Sequence, residues 1–223
     1  YLDFAAGIAV FALGYNNKEY NDALKNQIDK ILHTSNLYYN QPAIDAAEKI
    51  VKTSGMSKVF FTNSGTEAIE GALKVARKYA YNKDDSKDYE FIAMNHSFHG
   101  RSMGALSVTG QEKYRKDFRP LLGEIYEADF NDAASVKALM NGDVCGVILE
   151  PVQGESGIIP ADPVFLREVR EMCDRYDALL IFDEVQCGMG RIGTRFAWQS
   201  FGVEPDAFSM AKAIANGLPM GGF

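Results

Sequence analysis

The chain has 223 residues, 47% of them hydrophobic and 24% charged, enough to bury the core of one large domain and unlike a disordered chain. Its 23 basic and 30 acidic residues give a formal charge of −7, and no basic run exists to neutralise phosphates, which argues against a nucleic-acid partner. No apolar stretch approaches the roughly 20 residues of a membrane span, and no membrane partner is expected.

No signal-peptide pattern opens the sequence. Tyr1-Leu2-Asp3-Phe4 reads like the interior of a protein, and Gly221-Gly222-Phe223 is an equally abrupt end. Cys145, Cys173 and Cys187 lie too far apart for a zinc or redox spacing, so reduced thiols in a cytoplasmic protein are expected.

Residues 17–32 and 41–54 carry apolar residues at helical period. The polar and aromatic HTSNLYYN between them reads as a loop. Short apolar runs follow at 58–62, 90–94, 144–149, 178–182 and 206–210, with helical stretches at 65–81, 131–141 and 163–177. This alternation predicts an α/β fold with a mainly parallel central sheet and helices on both faces. Strands buried on both faces read as continuous apolar runs, as these do. The main domain is placed at 33–223, with 1–32 a lead-in segment.

In such sheets ligands gather at the carboxyl ends of the strands. Each apolar run here is followed by a polar cluster: NSGTEA, NHSFHGR, EPVQGESG, DEVQ and AK. Ser64-Gly65-Thr66 opens a helix, and its free amides and hydroxyls can hold a phosphate. An ordinary helix N-cap is the competing reading. Phe98 and His99 offer faces on which a flat cofactor can stack, and Arg101 can grip a carboxylate by two bonds. A core Phe and a surface Arg are the plain alternatives. His96 and His99 have metal-ligand spacing but no third ligand nearby, so no metal is expected. Glu150 ends a buried run and needs a partner, while Glu155 sits in a Gly-flanked loop.

Asp183 ends the apolar run ALLIF, and Lys212 follows 29 residues later in a small-residue loop. A strand-end acid can hold a heteroaromatic nitrogen protonated. A loop lysine can form an imine with an aldehyde on the same ring. Pyridoxal phosphate needs both partners. Gly188-Met189-Gly190-Arg191-Ile192-Gly193 matches G-x-G-x-x-G and keeps a nicotinamide-dependent oxidoreductase as a rival reading, although DEVQC separates it from the strand. A cofactor-binding protein without catalysis is a third reading.

Seven segments carry a resemblance in family order: YLDFAAGIAV, HTSNLYYN, VFFTNSGTEAIEGALKVAR, FHGRSMGALSVTGQEKY, ILEPVQGESGIIP, LLIFDEVQCGMGRIG and PDAFSMAKAIANGLPMGG. Through them the chain resembles the class III pyridoxal-phosphate aminotransferases of fold type I, and within these the acetylornithine subgroup. The resemblance implies a homodimer that moves an amino group from N-acetylornithine to 2-oxoglutarate in arginine biosynthesis. Ornithine, succinyldiaminopimelate and 4-aminobutyrate are alternative donors.

The resemblance also implies roles for individual residues. Lys212 would join the cofactor and shuttle a proton. Asp183 would pair with the pyridine nitrogen, with Glu184 and Val185 beside it. Gln186 would reach the phenolic oxygen. Ser64, Gly65 and Thr66 would bind the phosphate. Phe98 would stack on the ring with His99 next to it, and Glu150 would stand near the ring. Arg101 would bind a substrate carboxylate, Glu155 would cover and release a second arginine, and Tyr39 or Tyr38 would line the entrance. Two positions depart from the family pattern: GYNNK at 14–18 replaces a His-x-His-Pro run, and Ser156 replaces a Gly. A small C-terminal domain of the family is expected to be missing from this chain.

Overall fold

A computed structural model describes residues 1–86 and 89–223. The chain opens with α1 (Ala6–Ala9), a turn with positive φ at all four residues, then α2 (Lys18–Ile28) and α3 (Gln41–Ser54). β1 (Phe61–Thr62), α4 (Gly65–Lys83), β2 (Glu90–Met94), α5 (Met103–Ser107), α6 (Glu112–Arg115) and β3 (Ile125–Ala128) follow. Next come α7 (Ala133–Leu139), β4 (Val144–Leu149), β5 (Val152–Gln153), β6 (Ile159–Pro160) and α8 (Pro163–Tyr176). β7 (Leu179–Asp183), α9 (Trp198–Phe201), β8 (Ala207–Ser209) and β9 (Gly221–Gly222) complete the order.

Five strands pair in parallel in the order β3-β2-β4-β7-β8. β1 and β9 form an antiparallel pair that meets the far side of β8 through a Met210–Gly222 bridge. Side chains alternate across the sheet, as the pleat requires. Ile92, Met94, Val147, Leu149, Leu180 and Phe182 enter one core, beneath α7 and α8. Phe91, Ala93, Cys145, Ile148 and Ile181 enter the other, beneath α4 and α5.

The long helices follow their sequence signals. Asp162 caps α8 by accepting from Val164 N at 2.6 Å, Pro163 occupies the first turn, and Asp177 ends the helix in the left-handed region at φ 57°. Phe165, Leu166, Val169, Met172 and Cys173 make its buried stripe. On α4 the buried stripe is Ala68, Ile69, Ala72, Leu73, Ala76 and Ala80, small enough to seat the helix close to the sheet.

The expected runs at 90–94 and 144–149 coincide with β2 and β4, the run at 178–182 is shifted by one residue from β7, and those at 58–62 and 206–210 overlap the shorter β1 and β8. Residues 58–60 fall outside β1, yet Phe60 exchanges two backbone hydrogen bonds with Phe223. β3 was not anticipated. It is an edge strand whose Tyr126 and Glu127 face solvent, so it lacks a continuous apolar run. Among the described residues no helix is long and apolar enough to cross a membrane.

One buried-side acid ties α4 to α5. Glu70 Oε1 accepts from Ser102 Oγ at 2.5 Å, Gly104 N at 2.8 Å and Ala105 N at 3.1 Å. The side chain from the neighbouring helix thus caps α5, whose own N-cap Ser102 makes no capping bond within it. Glu70→Ala should lower unfolding stability by about 1–3 kcal/mol, and Glu70→Gln by less because one acceptor is kept. Urea denaturation of the two variants checks this.

Candidate active site

The strand ends of β1, β2, β4, β7 and β8 converge on one cavity of about 560 Å³. Ser64, Gly65, Thr66, Phe98, His99, Arg101, Glu150, Glu155, Asp183, Val185, Gln186 and Lys212 all line it.

Asp183 is the buried centre of the site. Its Oδ2 lies 2.8 Å from His99 Nδ1. Its Oδ1 accepts from Ser209 Oγ at 2.8 Å and from Val185 N at 3.0 Å. Burial opposes a charge on His99, but Asp183 outweighs it and the imidazole pKa is raised from its ordinary value. His99 is held from behind, its amide donating to Thr109 Oγ1 at 3.0 Å. Its buried Nε2 has no hydrogen-bond partner among the described residues.

Glu150 accepts from Phe98 N at 3.0 Å. Burial pushes its carboxyl up to about 7, with His99 pulling the other way. Lys212 sits in a four-residue turn after β8, with φ 50° in the left-handed region. Burial lowers its pKa from the ordinary lysine value, while Asp183, Glu155 and Glu150 oppose that shift.

The N-terminus of α4, a helix of 19 residues, opens on the cavity. Ser64 Oγ caps it by accepting from Glu67 N at 3.2 Å, and Glu67 Oε2 accepts from Asn63 N at 2.7 Å. First-turn amides have no partner within a helix and face an anion readily. Gly65 is required by close approach, since a Cβ there would lie 2.9 Å from Val185 Cγ1. Gly100 is required by both φ 130° and space, because a Cβ would overlap Thr66 Oγ1. Thr66 Oγ1 accepts from Arg101 N at 3.0 Å, which joins this helix start to the next strand end. The exposed Arg101 guanidinium lies over Phe98 and Tyr114, 5.2 and 5.6 Å from the ring centroids. At the rim, Gln186 Nε2 donates to Glu155 Oε1 at 3.3 Å.

Two expected site residues lie elsewhere. Glu184 is 0% exposed and turns to the opposite side from Asp183, as successive residues at a strand end do. Its carboxylate accepts from Ala197 N and Trp198 N, both at 2.7 Å, so it anchors the start of α9. Tyr39 is 96% exposed and borders a surface cleft with Gln27 and Gln41. The G-x-G-x-x-G loop also lies away from the cavity. Gly188 N closes a turn on Glu184 O, the loop packs near Lys49 and Thr53, and α9 begins only at Trp198, so the helix-capping arrangement of a dinucleotide site is not formed.

Other wall residues carried no chemical signal: Val10, Ala211 and Gly217–Met220. Ser209 was missed although it sits opposite Asp183 in the parallel register of β7 and β8. A polar residue inside an apolar strand was the available clue.

The Glu150 carboxyl titrates near 4.5 when unfolded and near 7 when folded, so over that window the folded state holds the extra proton and stability falls as pH rises. The raised His99 works in the same direction, stabilising at low pH and losing that contribution as pH rises through its folded value. In cofactor-free protein, Glu150→Gln should reduce the loss of stability over this window by up to about 3 kcal/mol. Urea unfolding at several pH values between about 4.5 and 8 reads the change.

The class-III aminotransferase sequence pattern matches residues 1–223. The acetylornithine aminotransferase of Clostridium acetobutylicum is 50% identical over 221 residues, covering 99% of this chain and 57% of that protein. The succinylornithine transaminase of Photorhabdus laumondii is 48% identical, covering 99% of this chain and 55% of that one. The ornithine aminotransferase of Toxoplasma gondii, whose structure has partial occupancy of PLP at the active site, superposes with a TM-score of 0.94 at 29% identity. That superposition covers 100% of this chain and 54% of the other. The chain spans about half the length of the curated relatives it matches. The strand-end cavity and the full-length family match agree, and the chain belongs to the class-III aminotransferase family.

Proposed function

We propose that this chain forms the cofactor-holding part of an aminotransferase that uses pyridoxal 5'-phosphate to move an amino group from an N-acylated ornithine, N-acetylornithine first, to 2-oxoglutarate. The carrying observation is one cavity that joins a buried strand-end carboxylate, Asp183, to a lysine of lowered pKa, Lys212, and a helix N-terminus.

The residues fit the cofactor. The α4 N-terminus and Thr66 suit its phosphate, and Gly65 keeps that cradle free of side chain. Asp183 suits its ring nitrogen, because three donors already fix the carboxylate's orientation. Phe98 and Val185 offer apolar walls, and Gln186 a polar one. When bound, the cofactor supplies an aldehyde that accepts the amine and a protonated ring that disperses charge from the adjacent carbon.

The chain's own groups do the rest. Burial raises the fraction of Lys212 that is neutral near pH 7, so its Nζ can take the proton from the donor carbon and return it. Asp183, braced by His99, Ser209 and Val185 N, keeps its place without reorganising during the reaction. Arg101 stands at the rim to meet a substrate carboxylate in two-pronged fashion. Glu155, tethered to Gln186, stands opposite as a movable acid.

The names of the relatives support an N-acylated ornithine over free ornithine, succinyldiaminopimelate or 4-aminobutyrate. A second copy of the chain is the proposed partner. Phe4, Leu37, Tyr38 and Tyr39 are exposed large apolar side chains that such a copy would cover, and sedimentation should then report a dimer.

Borohydride treatment with pyridoxal phosphate should fix the cofactor on Lys212, and Lys212→Ala should abolish the adduct. The same variant should slow the half-reaction by about 10²–10⁴-fold. Asp183→Asn should keep the adduct but slow the half-reaction by about 10²–10³-fold. N-acetylornithine or its N-succinyl counterpart should give a higher kcat/KM than ornithine, succinyldiaminopimelate or 4-aminobutyrate. Normal turnover by Lys212→Ala would sink the proposal, as would NAD(H) binding without any pyridoxal absorbance.

A further inference from the structure

The turn that carries Lys212 holds two non-glycine residues in the left-handed region. Lys212 has φ 50° and Asn216 φ 44°, both in the left-handed region that non-glycine residues seldom adopt. Around the turn, Ile214 N donates to Ala211 O at 3.2 Å, Asn216 N to Ala213 O at 3.4 Å and Leu218 N to Ala215 O at 3.1 Å. Such backbone persists only where the surroundings over-determine it.

The surroundings here come from the opposite end of the chain. Leu13 N donates to Asn216 Oδ1 at 2.9 Å, and Asn216 Nδ2 donates to Gly14 O at 3.4 Å. Tyr20 Oη donates to Ala215 O at 2.7 Å. Phe11 covers Gly217 so closely that a Cβ there would lie 2.8 Å from Phe11 Cε1. Val10 continues into the cavity wall beside Lys212. Asn216 is buried, although Gly217, Leu218 and Pro219 after it are exposed. Its side chain presents an acceptor and a donor to one stretch of backbone, as a neighbouring strand would.

We propose that residues 10–20 act as a strap that holds the lysine turn in its left-handed form, with Asn216 the positioning residue through which the strap sets Lys212. This rests on Lys212 being the amine of the site. The charged and titratable groups acting on Lys212 are Asp183, Glu155, Glu150 and Cys187, and none belongs to the strap. Arg101 and His99 line the same cavity. The strap therefore acts on Lys212 through burial and geometry, not through charge.

Asn216→Gly is the discriminating variant. Glycine adopts the left-handed region without steric cost, so the variant removes the two side-chain bonds without adding strain, and Tyr20→Phe checks the strap without glycine's added backbone freedom. Tyr20→Phe removes the third bond conservatively. Lys18→Ala is the control, on the same segment but paired with Asp22, within α2. In the full chain prepared without cofactor, hydrogen exchange should speed up at least about tenfold at Ile214, Asn216 and Leu218 in Asn216→Gly. Tyr20→Phe should change in the same direction by less, and Lys18→Ala should match the parent. The pH midpoint for labelling Lys212 with trinitrobenzenesulfonate should rise by about half a unit or more in Asn216→Gly, as water reaches the amine.

Parent-like exchange and midpoint in Asn216→Gly would overturn the proposal. If that variant does not fold, parent-like exchange of residues 213–216 in Tyr20→Phe would overturn it. A mistaken role for Lys212 would show instead as cofactor fixing that survives Lys212→Ala, whatever the exchange data report.

Discussion

A carboxylate placed at 4% exposure must be surrounded by donors, and Asp183 imposes that requirement on much of the molecule. His99 must come from the end of β2, Ser209 from β8 and Val185 N from the turn after β7. The His99 donor is in turn held by Thr109, and the preceding Phe98 amide by Glu150. Four parallel strands are thereby brought into one polar layer at their carboxyl ends. The apolar cores on the two faces keep the sheet rigid enough for that layer to hold its geometry.

Close backbone approach is the second organising condition. Gly65 lets α4 start against Val185 and Ala211, so the helix N-terminus reaches the cavity. Gly100 lets the loop after β2 close over Thr66. A Cβ on Gly154 would meet Gln186 Cδ at 2.5 Å, which brings the turn between β5 and β6 onto the loop after β7. The glycines act where two strand-end loops touch. Their spacing in sequence therefore looks irregular although their positions in space are coherent.

The sheet and most of the cavity were legible because burial on both faces writes continuous apolar runs, and parallel topology puts the following polar residues together. Asp183, Lys212, His99, Glu150 and the Ser64–Thr66 turn were all readable from that logic. β3 was hidden because an edge strand shows solvent one side chain after another. Glu184 was misplaced because adjacency in sequence reverses direction at a strand end, and its buried carboxylate serves α9 instead. Asn216 gave no signal at all. Its meaning lies in contacts with Leu13 and Gly14, about two hundred positions away, which no local pattern encodes.

The cavity wall begins at Val10 and ends at Met220, nearly the full length of the chain. Contacts of such long range carry the entropy cost of closing large loops, so the pocket exists only in the folded chain. A ligand that recognises the finished pocket and not the unfolded chain then stabilises the whole domain by mass action. On the proposed reading, cofactor supply would thus raise the share of this protein that is folded.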